Sequence, residues 1–287
     1  MIQELIVNTP WFIYLVISFL SLCVGSLLNV VIYRLPIMLH DEWKQQCCEL
    51  LSIKDEEEKK TVNLFFPRSF CPNCKSLVKA WQNIPLISYI LLRGRCYQCK
   101  APIAIRYPLI ELLTLLLSLY ASWHFGFTLQ LPFILIAIWL LICLIFIDLD
   151  HQLLPDTLTL SLLWIGLIAN TQNLFTSLPV AVLSSAGAYI SLWIFIKLFY
   201  LITGKIGMGH GDFKLFAAFG AWFGWAFLPL ILLLSSIAGA VIGLIYLKMS
   251  KKSRDTTIPF GPFMCIAGLI SMFWGHAIIN WYMHFWF

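Results

Sequence analysis

Of 287 residues, 60% are hydrophobic and only 11% are charged, and the mean hydropathy is +0.86. A soluble domain carries about a quarter charged residues, so this composition excludes one and requires lipid as part of the solvent. Net charge is +5. Twelve of the 19 Lys and Arg fall between positions 34 and 106, mixed with Asp41, Glu42, Glu49 and the acidic run 55–58. Mixed signs in one segment read as a topology signal, and we expect no nucleic-acid partner.

The first apolar run covers 11–33. No basic residue precedes it and no small-residue cleavage site follows, so it is expected to be a retained span and not a removed leader. Seven further runs follow at about 108–127, 130–147, 158–174, 179–203, 214–227, 229–247 and 262–286. Each is read as a membrane helix, for a bilayer core of roughly 30 Å. The predicted fold class is therefore an all-α polytopic membrane protein of about eight transmembrane helices, with a small polar domain between the first and second. The predicted division is 1–33 as first helix, 34–107 as the polar domain and 108–287 as a seven-helix membrane domain.

Charge orients this arrangement. If the basic segment is cytoplasmic, the N-terminus is periplasmic and the loops after spans three, five and seven are also cytoplasmic. Those loops and their flanks carry Lys197, Lys205, Lys214, Lys248, Lys251, Lys252 and Arg254, which are all the remaining basic residues. The opposite loops carry none.

Within the polar domain, Cys71-Pro-Asn-Cys74 and Cys96-Tyr-Gln-Cys99 are two CxxC pairs. Two thiolates at that spacing bind one metal from a tight turn, and two such turns complete a tetrahedral zinc site. A closed set of four cysteines leaves no open coordination position, so the predicted role is structural. Two disulfides and a redox CxxC are the competing readings, and a reducing cytoplasm disfavours the first. Cys23, Cys143 and Cys265 lie in apolar runs and are expected to be small core residues. Cys47 and Cys48 are adjacent, a poor geometry for ligands of one shared site.

Carboxylates within or at the end of spans are costly and mark function by default. Asp148 closes the third apolar run, and Asp212 lies in Gly207-Met-Gly-His-Gly-Asp212-Phe-Lys. The loop alternation puts both on the same side, where two acids from different spans can meet. A close pair tends to share one proton. The ionised member then activates water while the protonated one polarises a peptide carbonyl, as in aspartic proteases. Glycines 207, 209 and 211 are expected to let backbone approach a substrate strand closely.

The other acids have plainer expectations. Asp150 points about 200° away from Asp148 on a helix, and it and His151 belong to the headgroup region. Asp156 reads as a helix N-cap. Glu111 is expected to pair with Arg106 or another base. From chemistry alone, an ion pathway remains an alternative for the whole set.

The ordered motifs then resemble a known family. They are Gly25-Ser-Leu-Leu-Asn-Val-Val-Ile-Tyr-Arg-Leu-Pro36, the two CxxC pairs, Asn83-Ile-Pro-Leu-Ile-Ser88 and Arg106-Tyr-Pro-Leu-Ile-Glu111. Asp148-Leu-Asp-His-Gln-Leu-Leu-Pro-Asp156, Gly209-His-Gly-Asp-Phe-Lys-Leu215 and Ile258-Pro-Phe-Gly-Pro262 continue the series. Together they resemble the bacterial type IV prepilin peptidases, which are bifunctional leader peptidases and N-methyltransferases. The resemblance implies a GxGD-type membrane aspartic protease of the inner membrane, with Asp148 and Asp212 as its catalytic pair. It also implies prepilin and pseudopilin substrates cut after a glycine, and methylation of the new N-terminus with S-adenosylmethionine as donor. Cys71, Cys74, Cys96 and Cys99 match the long form of the family, whose cytoplasmic zinc domain is associated with methylation. No glycine-rich fingerprint for the methyl donor is visible in the chain.

Overall fold

A computed structural model describes residues 10–53, 62–204, 207–250 and 259–286. The acidic run 55–58, Lys205, Lys251, Lys252, Arg254 and Ile258 lie outside the described residues. All eight predicted apolar runs are helical. Among the described residues there is no strand, only the isolated bridges Phe70–Leu77 and Arg95–Pro102. The chain divides into two compact units, Met1–Trp123 and His124–Phe287.

The first unit holds α1 (Pro10–Leu50), a short α2 (Ile87–Leu91) and α3 (Arg106–Phe125). At 41 residues, α1 is about 60 Å long, twice a bilayer core. It does not stop where its apolar run ends but continues as a polar helix for more than four turns. Small residues let α1 and α3 approach each other closely. A Cβ on Gly25 would lie 2.9 Å from the Glu111 Cα. Asn29 spans the same seam, donating to the carbonyls of Gly25 at 3.2 Å and Tyr107 at 3.1 Å. Because Ser21 and Gly25 define that face, Cys23, about 200° around the helix, is exposed and is not a core residue.

Glu111 is also placed differently from expectation. Its Oε2 accepts the backbone N–H of Leu86 at 2.8 Å, which ties the start of α2 to the first turns of α3. Leu86 has a positive φ of 59°, so the carboxylate holds a backbone geometry that a leucine rarely adopts. Arg34, buried within α1, donates to the carbonyls of Asn63 at 2.8 Å and Pro67 at 2.5 Å. That chain return is thereby fixed level with the end of the apolar part of α1.

The second unit contains α4 (Gln130–His151), α5 (Asp156–Asn170), α6 (Leu178–Thr203), α7 (His210–Phe223), α8 (Leu228–Ser250) and α9 (Gly261–Trp286). Six helices of the whole chain, among the described residues, are long and apolar enough to cross a membrane. In the second unit the exceptions are α5 and α7, about 22 and 21 Å long at 1.5 Å per residue. Helix α7 is buried from Asp212 to Phe223 apart from the half-buried Lys214, so its short length is accommodated by protein around it. Its glycines and its neighbours' glycines make this possible. The Trp222 ring fills the space beside Gly166, and its Nε1 donates to the Leu162 carbonyl at 2.8 Å. Gly220 meets the Ser184 backbone, whose Oγ donates to the Gly220 carbonyl at 2.8 Å.

Asn170 closes the end of this packing remote from Asp212. It is fully buried, donates to the carbonyls of Ala221 (2.8 Å) and Trp222 (3.2 Å), and accepts the N–H groups of Phe175 and Thr176, both at 3.0 Å. Truncation would leave these buried groups without partners, and each one costs about 1–3 kcal/mol. Asn170→Ala is therefore expected to destabilise the second unit by about 3 kcal/mol, measured by denaturant unfolding of the purified chain in detergent.

Candidate active site and metal centre

Two helix ends build the carboxylate site. Asp148 lies in the last turn of α4, after which Gln152 takes a left-handed conformation (φ 52°) and donates its N–H to the Asp148 carbonyl at 2.9 Å. Asp212 is the third residue of α7. Its Oδ2 accepts the N–H of Gly209, the N-cap residue, at 3.2 Å, as an acid at this position does in a capping box. Both carboxylates are buried, and they lie close enough for the charge of Asp148 to act on Asp212. The structure thus brings together the two acids singled out from the sequence. Asp150 and His151 are exposed, as expected from the helical turn.

Gly261 has no counterpart in the sequence reading beyond its place in the Pro-Phe-Gly-Pro motif. It is the first residue of α9, and its N–H donates to the Asp148 carboxylate. A Cβ there would stand 2.5 Å from Asp148 Oδ2 and 3.0 Å from a Leu154 methyl. Each acid therefore receives one backbone N–H from a glycine at a helix start. Gly211 and Gly207 lie close against the protein itself. A Cβ on Gly211 would meet Leu154 Cβ at 2.7 Å, and one on Gly207 would meet the Phe199 ring at 3.1 Å. Leu154 is thus wedged between the starts of α7 and α9.

Asp156 is not an N-cap. Pro155 holds that position, and the Asp156 carboxylate takes both of its oxygens to within 2.6 Å of Lys214 Nζ. This ion pair joins α5 to α7 two residues past Asp212. Its partners are 28% and 58% exposed, so its contribution to stability is small. Cys143 and Cys265 are buried, and Cys265 belongs to the core cluster.

The cysteines form the second constellation, in the first unit. All four Sγ atoms lie within 4.8 Å of one another, and Cys71 and Cys99 are 3.8 Å apart. Tetrahedral thiolates about 2.3 Å from one zinc ion sit roughly 3.8 Å apart, so the set fits such an ion. The two knuckles repeat one design. Cys71 N–H donates to Ser76 at 2.9 Å and Cys96 N–H to Ala101 at 2.8 Å. Lys75 and Lys100 turn the chain with φ of 58° and 59°. The Ser76 hydroxyl and backbone beside Cys74 hold its thiol down to about 6, and the backbone N–H groups of Cys99 and Gln98 lower that of Cys96. Thiols so disposed are ready to bind a metal as thiolates. This cluster can hold a metal ion.

Fold and site thus define a helical membrane protein with a four-cysteine cluster able to hold a metal in one unit and two buried aspartates in the other. Residues 19–125 match the bacterial peptidase A24 N-terminal domain, and residues 135–244 match the type IV leader peptidase family. The chain belongs to the type IV leader peptidase family. Among curated relatives, a protein of Legionella pneumophila named prepilin leader peptidase/N-methyltransferase is 71% identical over 286 residues, 100% of each chain. Relatives of the same name from Pseudomonas aeruginosa and Aeromonas hydrophila are 51% and 46% identical, covering 93% and 99% of this chain and 92% and 98% of their own. No solved structure matches the chain at a significant level.

Proposed function

We propose that this enzyme cleaves the leader from prepilins with Asp148 and Asp212 and then methylates the new N-terminus. Leader cleavage and methylation follow from full-length similarity to relatives that carry both activities in their names. The observation that carries the dyad is the burial of two interacting carboxylates, each held by a glycine N–H. One carboxylate, ionised, takes a proton from water as the oxygen attacks the scissile carbonyl carbon. The other, protonated, donates to the carbonyl oxygen. Collapse re-forms the carbonyl and breaks the C–N bond: one hydroxyl proton returns to the second acid, and the departing amine takes the proton held by the first. The freed amine next takes a methyl group from S-adenosylmethionine, which departs as its thioether.

Type II secretion pseudopilins are proposed as substrates alongside type IV prepilins. The protein is a multi-pass membrane protein. We place it in the inner membrane, with a periplasmic N-terminus and both constellations at the cytoplasmic face, from the one-sided distribution of basic residues. We assign residues 34–107 as a cytoplasmic zinc domain between the first helix, 1–33, and a protease domain, 108–287. Cys71, Cys74, Cys96 and Cys99 would hold zinc there, shaping the domain used for methylation.

The test of function is incubation of the reconstituted chain with a purified prepilin. Loss of the leader mass is expected, and an intact prepilin after full incubation would overturn the reading. Separately, Cys71→Ser or Cys96→Ser is expected to abolish stoichiometric zinc, measured by plasma emission on the purified protein. Retention of zinc by both variants would contradict the four-thiolate site.

A further inference from the structure

The first unit presents apolar side chains where a soluble domain would hide them. Phe65 and Phe66 are 83% and 66% exposed, and Ile87, Ile90 and Leu91 are 53%, 72% and 68% exposed. The last three stand at i, i+3 and i+4 on α2 and so share one face. None of the five residues of α2 is buried. Such clustering marks an interaction surface.

Hydrogen bonds fix the level of this surface. The N–H of Leu86, immediately before α2, is bound by Glu111, five residues into α3. At 1.5 Å per residue that is about 7.5 Å along the axis from Arg106. The α2 helix therefore starts beside the first turns of a membrane-spanning helix. Phe65 and Phe66 are held in the same way, by Arg34 bound to the carbonyls on either side of them, Asn63 and Pro67. Arg34 lies just past the apolar run of α1. Both apolar pieces are tied to the positions where the flanking spans leave the hydrocarbon.

Charge selects the partner. Residues 62–107 contain Arg68, Lys75, Lys79, Arg93, Arg95, Lys100 and Arg106, and no Asp or Glu. A surface that pairs exposed apolar side chains with a cation-rich segment at this depth matches the headgroup region of a bilayer containing anionic phospholipid. We infer that the cysteine-bearing unit rests on the membrane, with Phe65, Phe66 and the Ile87–Ile90–Leu91 face of α2 inserted among anionic headgroups. Docking fixes the height of the cysteine-bearing unit at the bilayer surface.

The inference rests on α1 and α3 being membrane spans, and its test separates the two. The full chain is placed in nanodiscs of phosphatidylcholine, with or without phosphatidylglycerol. A photoreactive benzoylphenylalanine replaces Ile90, Leu91, Leu116 or Asn73 in turn. Leu116 is exposed in the middle of α3, and Asn73 is exposed in the first knuckle. After irradiation, lipid adducts are expected at 90, 91 and 116 and not at 73. The yield at 90 and 91 should rise several-fold with phosphatidylglycerol and fall in raised salt, while that at 116 stays constant. Arg93→Gln with Arg95→Gln should weaken that dependence. Adducts at 116 without adducts at 90 and 91, or cross-links from 90 and 91 to protein, would overturn the docking while leaving the spans intact. Absence of adducts at 116 would overturn the spans themselves. Equal yields in the two lipids would overturn the anionic preference.

Discussion

Asp148→Asn and Asp212→Asn are each expected to lower prepilin cleavage by about a thousand-fold or more while leaving fold and metal content unchanged. Asparagine keeps the volume of the side chain and a carbonyl oxygen to accept the glycine N–H, from Gly261 at one position and Gly209 at the other. What it loses is the capacity to take or give a proton. Positioned acid–base catalysis is worth about 10²–10⁴-fold, and here one acid must accept from water while the other donates to the carbonyl. Either loss breaks the sequence, so the double variant should be scarcely worse than a single one. A variant with near-normal cleavage would remove that residue from the dyad. Unfolding curves matching the parent would show that the loss is chemical.

Gly261→Ala is the second large effect. The added carbon would lie 2.5 Å from Asp148 Oδ2, a separation that real Cβ atoms do not show, and 3.0 Å from a Leu154 methyl. Either the start of α9 or the carboxylate must move. Displacement of a catalytic group by about 1 Å costs roughly a hundred-fold in rate. The loss should appear in kcat more than in KM, because the residue positions Asp148 and does not hold the leader. Gly239→Ala, in α8, is the comparison: its Cβ would make only ordinary contact, 3.5 Å from the Phe263 ring, and near-parental cleavage is expected. Equal rates for the parent and Gly261→Ala would show that Asp148 tolerates the crowding.

The membrane helices were legible because lipid selects long apolar runs, and each predicted run is a helix. Their ends were less legible where no apolar signal exists. The polar continuation of α1 to Leu50 has no core-facing period to read, and Gly209 rather than the first apolar residue sets the start of α7. That Asp148 and Asp212 lie near each other was open to anticipation from loop alternation, which expects both run ends on one side. The glycine that holds Asp148 was not. Gly261 stands more than a hundred residues away, and only the packing of α9 against α4 brings its N–H to the acid. Likewise nothing local links Leu86 to Glu111, or Asp156 to Lys214. The partner of each buried acid depends on tertiary packing, which no local pattern records.

The most direct measurement of the central claim follows one prepilin by mass spectrometry with the parent chain, Asp148→Asn and Asp212→Asn in parallel bilayers, with isotopically labelled S-adenosylmethionine present. The parent should convert the prepilin to a chain shortened by its leader and carrying the labelled methyl group, and both variants should leave it at full length. Shortened product at the parental rate from either variant would contradict the assignment of proteolysis to this pair of aspartates.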